Sequence, residues 1–262
     1  MIPFVDIHTH FPKSKENVIS IQNFTQNEWE NLFNTVMPKR DEAKGIMEAR
    51  NPEDMGKGGD FASVGLHPWY LTKENAEKDL EKMVELIDKQ NIIAIGECGL
   101  DKLKGESFDF QTDIFAKQIQ LAESVRKPVI IHCVRAFNEV ISLKKKLKPS
   151  IPLVIHGFNK NEAILTELLK NGFYISIGAT LSLRGTTPTA RNEAELRGDN
   201  NFKNTVLQIP TERLFFETDD KDMDIQQVYD AYCDAADMDL IDLKSIIYNN
   251  FKSILSKHSL NL

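Results

Sequence analysis

Short apolar runs rich in Val, Ile and Phe recur along this chain of 262 residues, and polar segments with helical spacing separate them. Most of the runs are almost continuously apolar, which is typical of parallel strands that are buried on both faces. We predict eight strands from these runs, at residues 4–10, 18–24, 61–68, 92–101, 128–134, 152–158, 173–180 and 214–220.

The segments between the strands predict amphipathic helices. Residues 75–91 carry an apolar stripe with the spacing i, i+3, i+4 and i+7, namely Leu80, Met83, Val84 and Ile87. Residues 110–127 carry a similar stripe, namely Ile114, Phe115, Ile119 and Ala122. Residues 161–172 end on Gly172, a residue type that often follows the last turn of a helix.

Strands that alternate with helices predict a parallel sheet, and about eight such units favour closure into a barrel. The predicted fold class is therefore α/β, a TIM-type (β/α)8 or distorted (β/α) barrel. A chain of this length is also long enough for two small domains. No linker or internal repeat divides it, so we interpret residues 1–262 as a single domain.

Two segments interrupt the alternation of strands and helices. Residues 38–60 predict a short helix followed by a Gly-rich loop. Residues 181–208 are polar and follow the seventh predicted strand, and we predict a loop insertion there that covers the active face of the barrel. A loop in this position is a candidate lid or substrate-binding segment.

Charge and cysteine content narrow the range of functions only a little. Lys plus Arg number 32 and Asp plus Glu 39, and the resulting net charge of −7 disfavours non-specific binding of nucleic acid by the whole surface. Cys98, Cys133 and Cys233 form no CxxC pair and no disulfide framework. Neither a signal-peptide pattern nor a membrane-spanning run is present, so we expect a cytoplasmic protein with no membrane contact and no obligate protein partner.

The positions of the histidines predict a metal site. Because the carboxyl ends of barrel strands meet at one face, polar side chains at those ends converge there. Five of the six histidines fall at predicted strand ends, and so do two carboxylates: His8, His10, His67, His132, His156, Glu97 and Asp219. Imidazoles and carboxylates at this density indicate a site for one or two divalent metal ions.

Each of these residues also has a structural interpretation when taken alone. A single buried histidine is more often a hydrogen-bonded structural residue than a metal ligand. Glu97 and Asp219 could each cap the helix that follows. Their joint placement favours metal ligation, because burying so many polar groups together would be costly without a cation.

Three neighbours of the candidate ligands have predicted supporting roles. Asp6 shares a strand face with His8 and His10, and we expect it to hold an imidazole rather than to bind metal. Cys98 and Cys133 each follow a candidate ligand by one residue, so both are expected to face away from the site and into the core.

The motifs FVDIHTH, VGLHPWYL, IGECGLD, LAESVRKPVIIHCVRA, VIHGF and FFETD together resemble those of the TatD family of metal-dependent hydrolases, within the amidohydrolase superfamily. They extend from residue 4 to about residue 220, and the closing NNFKSIL is similar to the last helix of that family. The resemblance implies a (β/α) barrel with a two-metal site and, often, exonucleolytic DNase activity. It implies that Glu97 bridges the metals and that His67 contacts the substrate phosphate. The metal ligands it implies are His8, His10, Glu97, His132, His156 and Asp219.

The sequence departs from the family pattern near the expected substrate. Val134 stands where the family usually has an arginine, two residues after the fifth-strand histidine, and Arg135 follows one position later. The family's Ser-Pro pair after ETD is replaced by residues 220–222, Asp-Lys-Asp. We predict that Arg135 substitutes as a phosphate contact, and whether DNA is the substrate stays open.

The predicted function is hydrolysis of phosphodiester bonds by a metal-bound hydroxide, at nucleic-acid ends or in a smaller phosphoester. Asp219 is predicted to accept the proton, since one carboxylate oxygen binds metal while the other remains available. Two alternatives are hydrolysis of an ester or amide at the same two-metal site and a non-catalytic, metal-stabilised binding protein. The expected cofactors are one or two ions of Zn, Mn, Mg or Fe, although magnesium favours fewer histidines.

Overall fold

Eight parallel strands form one sheet in which each strand pairs with the next along the chain, and this confirms the predicted barrel. The structure is a computed structural model, and it describes residues 1–11, 15–30, 32, 60–89, 91–183 and 193–256. Every predicted strand is present, several of them shorter than predicted. The strands are Phe4–Thr9 (β1), Val18–Thr25 (β2), Asp60–Gly65 (β3), Ile92–Asp101 (β4), Val129–Val134 (β5), Leu153–Ile155 (β6), Tyr174–Ile177 (β7) and Leu214–Phe216 (β8).

The first and last strands meet just beyond the end of β8. Thr9 and Asp219 form an isolated parallel bridge. The Asp219 amide donates to the His8 carbonyl at 3.0 Å, and the His10 amide donates to the Asp219 carbonyl at 3.0 Å. The sheet is therefore closed by backbone hydrogen bonds of residues that are themselves candidate metal ligands.

The helices lie between the strands and pack against the outside of the sheet. The three helices predicted at residues 75–91, 110–127 and 161–172 are present, and no described helix is both long and apolar enough to span a bilayer. The helices are Ala76–Ile87 (α1), Phe108–Val125 (α2), Phe137–Leu147 (α3), Glu162–Lys170 (α4), Thr180–Leu183 (α5), Glu193–Val206 (α6), Ile225–Ala236 (α7) and Leu240–Ser256 (α8).

The predicted apolar stripe on α1 is wrong at one position. Met83 and Ile87 are buried as expected, but Val84 is exposed and Leu86 is buried instead. Val84 and Leu86 flank the stripe on opposite sides, and the helix is turned towards the side that carries Leu86. On α2 the four residues of the predicted stripe are all buried.

The strand that carries the two closely spaced histidines is held from outside by a buried tyrosine. Tyr229 of α7 donates from its hydroxyl to the Val5 carbonyl and accepts from the Val5 amide, both at 3.0 Å. Burial raises the pKa of Tyr229, so its hydroxyl stays protonated and keeps both bonds. This contact fixes β1 three residues before His8.

The two segments that interrupt the alternation are described only in part. The helix and loop predicted over residues 38–60 lie outside the described residues, except that residue 60 begins β3. Of the predicted insertion, residues 181–183 end α5 and residues 193–206 form α6, where the sequence predicts loop. Phe202 and Val206 give α6 a short buried face, although the polar composition of the segment predicted a loop. Coverage of the active face by this segment stays a prediction.

Candidate metal centre

The Glu97 carboxylate lies in the middle of a cluster of imidazoles, and its deeper oxygen contacts three of them. Glu97 Oε1 lies 3.1 Å from Nε2 of His67. It also lies 2.7 Å from Nδ1 of His132 and 2.8 Å from Nε2 of His156. His67 and His156 follow β3 and β6, and His132 lies near the carboxyl end of β5, as the strand-end rule predicts, whereas Glu97 lies four residues before the end of β4.

The second oxygen of Glu97 faces the residues of β1 and the end of β8. Glu97 Oε2 lies 3.4 Å from Nε2 of His8 and 3.4 Å from Nε2 of His10. The same two nitrogens lie 3.6 Å and 3.7 Å from Asp219 Oδ1. The structure thus brings together all six residues that the sequence predicts as metal ligands, with Glu97 between the two sides.

The backbone around Glu97 leaves little freedom for this carboxylate to move. The Glu97 amide donates to Oδ1 of the buried Asn23 on β2, and Ser63 Oγ donates to the same oxygen at 3.1 Å. Two residues on, a Cβ at Gly99 would lie 2.0 Å from the His132 carbonyl oxygen, so only glycine allows β4 and β5 to approach this closely. This close pairing places Glu97 and His132 side by side.

Unpaired nitrogen and oxygen atoms in the cluster fit a bound cation. Both ring nitrogens of His8 are buried without a hydrogen-bond partner, and so are His156 Nδ1 and Glu217 Oε2. Leaving such groups unpaired in the interior is costly, whereas a metal ion would take up their lone pairs. Within the part of the chain that the structure describes, four groups of three donors lie close enough to share an ion: His8–Glu97–His156, His8–His10–Asp219, His67–Glu97–His132 and His156–Glu217–Asp219.

Without an ion, opposite charges in the cluster shift one another's protonation. Burial lowers the pKa of His8, but the carboxylates of Asp219 and Glu97 outweigh burial and raise it to about 9. Burial likewise opposes ionisation of Glu97 and Asp219, yet the histidines, His156 on Glu97 and His8 on Asp219 foremost, hold both pKa values below their usual range. The buried carboxylates therefore favour a positive charge at His8, as they would favour a bound cation.

His67 has a different environment from the other histidines. Its Nδ1 accepts from the Trp69 amide at 3.2 Å, which leaves the proton on Nε2 to be donated to Glu97. Burial outweighs the Glu97 carboxylate and lowers the pKa of His67, so this ring is neutral. Its predicted contact with a substrate phosphate stays a prediction.

Asp101, which sequence reasoning missed, supports His132 from behind. Asp101 Oδ2 lies 3.2 Å from Nε2 of His132 and accepts from Nε1 of Trp69 at 2.6 Å. These donors and the Leu103 amide outweigh burial and lower the pKa of Asp101. A carboxylate on the far nitrogen of a candidate ligand fixes the ring's orientation and tautomer.

Glu217 is the second residue that sequence reasoning missed. It is completely buried, and its Oε1 accepts from the Gly157 amide at 2.6 Å and lies 3.6 Å from Nδ1 of His156. The signal was in the sequence, because Glu217 and Asp219 stand two residues apart near a strand end, as His8 and His10 do.

The predicted role of Asp6 as the partner of a β1 histidine is not what the structure shows. Asp6 Oδ1 accepts from the Thr218 amide at 3.0 Å, and Asp6 Oδ2 accepts from the Thr218 hydroxyl at 2.7 Å. Neither nitrogen of His8 has a hydrogen-bond partner. Asp6 therefore binds the segment next to Asp219. Cys98 is buried and Cys133 half-buried, and both pack with the core as expected.

With this geometry in place, the family likeness can be judged over the full chain. The family model described as TatD related DNase matches residues 5–256. The chain belongs to the TatD family. Two of the similar proteins are named as metal-dependent hydrolases, the enzyme class that the sequence motifs predict.

Individual TatD relatives match with moderate identity. The metal-dependent hydrolase YabD of Bacillus subtilis is 31% identical over 161 residues, which are 61% of this chain and 58% of YabD. The 3′-5′ ssDNA/RNA exonuclease TatD of Edwardsiella piscicida is 32% identical over 163 residues, which are 61% of this chain and 57% of that protein. The matched region thus spans less than three fifths of either relative.

The fold of the TatD family extends over nearly the whole chain. The crystal structure of the TatD homologue YjjV from Escherichia coli superposes with a TM-score of 0.71 at 20% identity, covering 98% of this chain and 99% of YjjV. A TatD family hydrolase from Entamoeba histolytica superposes with a TM-score of 0.71 at 17% identity, covering 97% of this chain and 98% of that one. These similarities establish the barrel independently of the strand pattern.

Arg135, the predicted substitute for the family arginine, lies where the chain leaves β5. The strand ends at Val134, and Arg135 has a φ of 54° before α3 begins at Phe137. The reversal frees Arg135 from the alternation of the strand, and its side chain is exposed. The strand has therefore ended before Arg135, as its predicted role requires, while the contact with a substrate stays a prediction.

Proposed function

We propose that this chain is a divalent-metal-dependent phosphodiesterase that acts on the ends of single-stranded nucleic acid. The observation that carries the proposal is a single buried carboxylate, Glu97, shared by imidazoles on two sides of the barrel face. A shared carboxylate between two donor groups suits two metal ions. His8, His10 and Asp219 would hold one ion, His132 and His156 the other, and Glu97 would bridge them.

Metal ions at such a site lower the pKa of water and offset negative charge on a phosphoryl group. The residues of the chain supply the remaining functions. Asp219 is partly exposed beside buried histidines, so its carboxylate is placed to take a proton from water. Arg135 would bind the substrate phosphate, and His67 holds Glu97 through its Nε2 proton.

The choice of nucleic acid rests on the relatives. Members of the family are named 3′-5′ ssDNA/RNA exonuclease in Edwardsiella piscicida and 3′-5′ RNA nuclease in human. The free thiols Cys98, Cys133 and Cys233 are typical of a reducing compartment, and we infer a cytoplasmic location from them. Zinc is our preferred ion, because three or more imidazoles with carboxylates suit it well.

A substrate panel tests this function. Metal-free protein would be loaded with Zn, Mn or Mg and assayed on end-labelled single-stranded DNA and RNA, bis(p-nitrophenyl) phosphate and p-nitrophenyl acetate. We expect metal-dependent shortening of the oligonucleotides from one end, abolished by chelation and restored by metal. Turnover of the acetate without turnover of any phosphodiester would instead support ester or amide hydrolysis, the rival predicted from the sequence.

A further inference from the structure

Exposed aromatic side chains are found beside the histidines of the candidate metal centre. Three aromatic residues among those described are between 37% and 41% exposed, namely Phe11, Trp69 and Tyr70. Phe11 directly follows His10, while Trp69 and Tyr70 follow His67 after a single proline. Aromatic surface is costly to leave in water, so its restriction to the rim of one site indicates a ligand with a flat, apolar group.

Trp69 is held in a fixed orientation. Its Nε1 donates to Asp101 Oδ2 at 2.6 Å, and its ring centroid lies 4.9 Å from that of His67 in a T-shaped arrangement. The Lys104 ammonium lies 3.8 Å from the centroid of the indole ring. A cation placed over an aromatic ring at the rim of a site offers both a stacking surface and a partner for an anion.

The loop that carries Lys104 is held by a buried glutamine. Gln111 Nε2 donates to the carbonyls of Asp101, Lys104 and Glu106 at 2.9–3.0 Å, and its Oε1 accepts from the Asp101 amide at 2.9 Å. The loop also packs against the Trp69 turn, since a Cβ at Gly105 would lie 2.3 Å from the Pro68 carbonyl oxygen. Lys104 therefore projects from a backbone that is fixed before any ligand binds.

Tyr70 presents the more accessible ring of the pair. Its side chain is 41% exposed, and its ring centroid lies 5.5 Å from that of His67 at an interplanar angle of 44°. The backbone turn that places it begins at His67, whose carbonyl accepts from the Tyr70 amide at 3.1 Å. The Tyr70 ring is thus fixed next to a histidine that contacts Glu97.

We propose that Trp69 and Tyr70 bind the base of the terminal nucleotide of a single-stranded nucleic acid by stacking, and that Lys104 binds a neighbouring phosphate. This subsite rests on the proposed phosphodiesterase function. Stacked aromatic rings together with a cation match a base and its phosphate, whereas a simple phosphoester would leave the rings unused. Every base has a flat face, so the subsite would bind ends with little sequence preference.

The test separates stacking from any effect on the metal site. A single-stranded oligonucleotide with a 3′-terminal 2-aminopurine and a non-hydrolysable phosphorothioate linkage would be titrated with metal-loaded protein. A second oligonucleotide would carry an abasic 3′ end. For Tyr70→Ala we expect an about tenfold rise in Kd for the first and less than a twofold change for the second, because stacking on one ring contributes about this much per base. Tyr70→Phe should bind as wild type does.

A matched control comes from α8. Tyr248 also has a lysine over its ring, with Lys252 Nζ 4.7 Å from the centroid, but it lies on a helix that carries no site residue. Tyr248→Ala should leave both Kd values unchanged. Quenching of the 2-aminopurine by wild type and by Tyr70→Phe, but not by Tyr70→Ala, would support stacking directly.

Two results would overturn the proposal. Equal loss of affinity for both oligonucleotides in Tyr70→Ala would mean that Tyr70 acts through His67 and not on the base. Unchanged affinity for both would mean that the ring contacts no substrate. In either case, the substrate panel above separates the two proposals. If wild type cleaves phosphodiesters there, only the proposed subsite is wrong. If wild type cleaves esters alone, the proposed function is wrong as well.

Discussion

The two sides of the candidate metal centre differ in how they are buried and how they are held. On the deep side, next to β5 and β6, the His132 and His156 side chains are 10% and 9% exposed. On the shallow side, at the seam between β1 and β8, His10 and Asp219 are 27% and 34% exposed, although His8, which also belongs to this side, is completely buried. Glu97 lies between them and contacts both.

The means of support differ as well. On the deep side, the Asp101 carboxylate lies 3.2 Å from Nε2 of His132, and the Glu217 carboxylate lies 3.6 Å from Nδ1 of His156, beyond hydrogen-bond distance. The shallow residues depend on backbone hydrogen bonds, which join His8 and His10 to Asp219 where the sheet closes. A deep side with carboxylates behind its histidines suits permanent binding of an ion, whereas a more exposed side suits exchange of water and substrate.

Glu97→Gln should impair both sides of the metal centre at once, because this carboxylate contacts both. We expect the variant to lose at least one metal equivalent and its kcat/KM to fall by a factor of about 10⁴. A metal ion contributes several kcal/mol of charge stabilisation in the transition state, and about 5 kcal/mol corresponds to that factor. Metal content by mass spectrometry and rates on labelled single-stranded DNA would measure both effects.

The control for Glu97→Gln is the same substitution at a glutamate away from the site. Glu85 lies on the exposed side of α1, so Glu85→Gln should keep wild-type metal content and rate. Full metal occupancy in Glu97→Gln with activity reduced less than tenfold would show that Glu97 does not bridge two ions.

Asp219→Asn sharpens the functional difference between the sides. An asparagine still offers an oxygen to a metal but cannot accept a proton, so we expect metal content near wild type and a fall in kcat of about 10³. The neighbouring Asp220 pairs with Lys221 at 2.8 Å in the solvent-exposed turn, and Asp220→Asn is the matched control. A loss under tenfold with unchanged metal would remove Asp219 from the role of proton acceptor.

Asp101→Asn tests the support of the deep side. The amide oxygen can still accept from Trp69, but the negative charge behind His132 is gone. Removing a carboxylate that orients a metal-ligating histidine typically costs 10- to 100-fold in metal affinity, and we expect a loss in that range. Competition with a chelating dye would measure it, with Asp113→Asn on the exposed face of α2 as the control.

The difference between the sides also explains what sequence alone predicts. Strand ends converge in any barrel, so the six candidate ligands could be predicted from the apolar runs that contain or precede them. Even spacing along a strand also pointed to Glu217 and Asp101, which stand two residues before Asp219 and four after Glu97, but neither was singled out because each motif already contained a stronger candidate.

Other features depend on contacts that no local pattern encodes. The burial of Leu86 in place of Val84 follows from how α1 sits on the sheet, and the fixed orientation of Trp69 follows from an aspartate 32 residues away. The prediction that Asp6 holds an imidazole was wrong, because the alternation of a strand determines only the face of the sheet on which a side chain lies. It does not determine which group on that face the side chain binds, and Asp6 binds Thr218.

The smallest expected effect concerns the rim of the deep side, where the chain leaves β5. Arg135 and Arg126 stand beyond opposite ends of β5, both exposed and both with positive φ, 54° and 56°. Only Arg135 lies at the end that carries the metal centre. We expect Arg135→Ala to raise KM for phosphodiesters about fivefold with unchanged metal content, as for an exposed ion pair that contributes about 1 kcal/mol, and this effect should weaken as salt rises. Arg126→Ala should change neither quantity. Equal behaviour of the two variants on every phosphodiester would mean that Arg135 contacts only solvent, and that phosphate is bound by the metal ions and Lys104 without it.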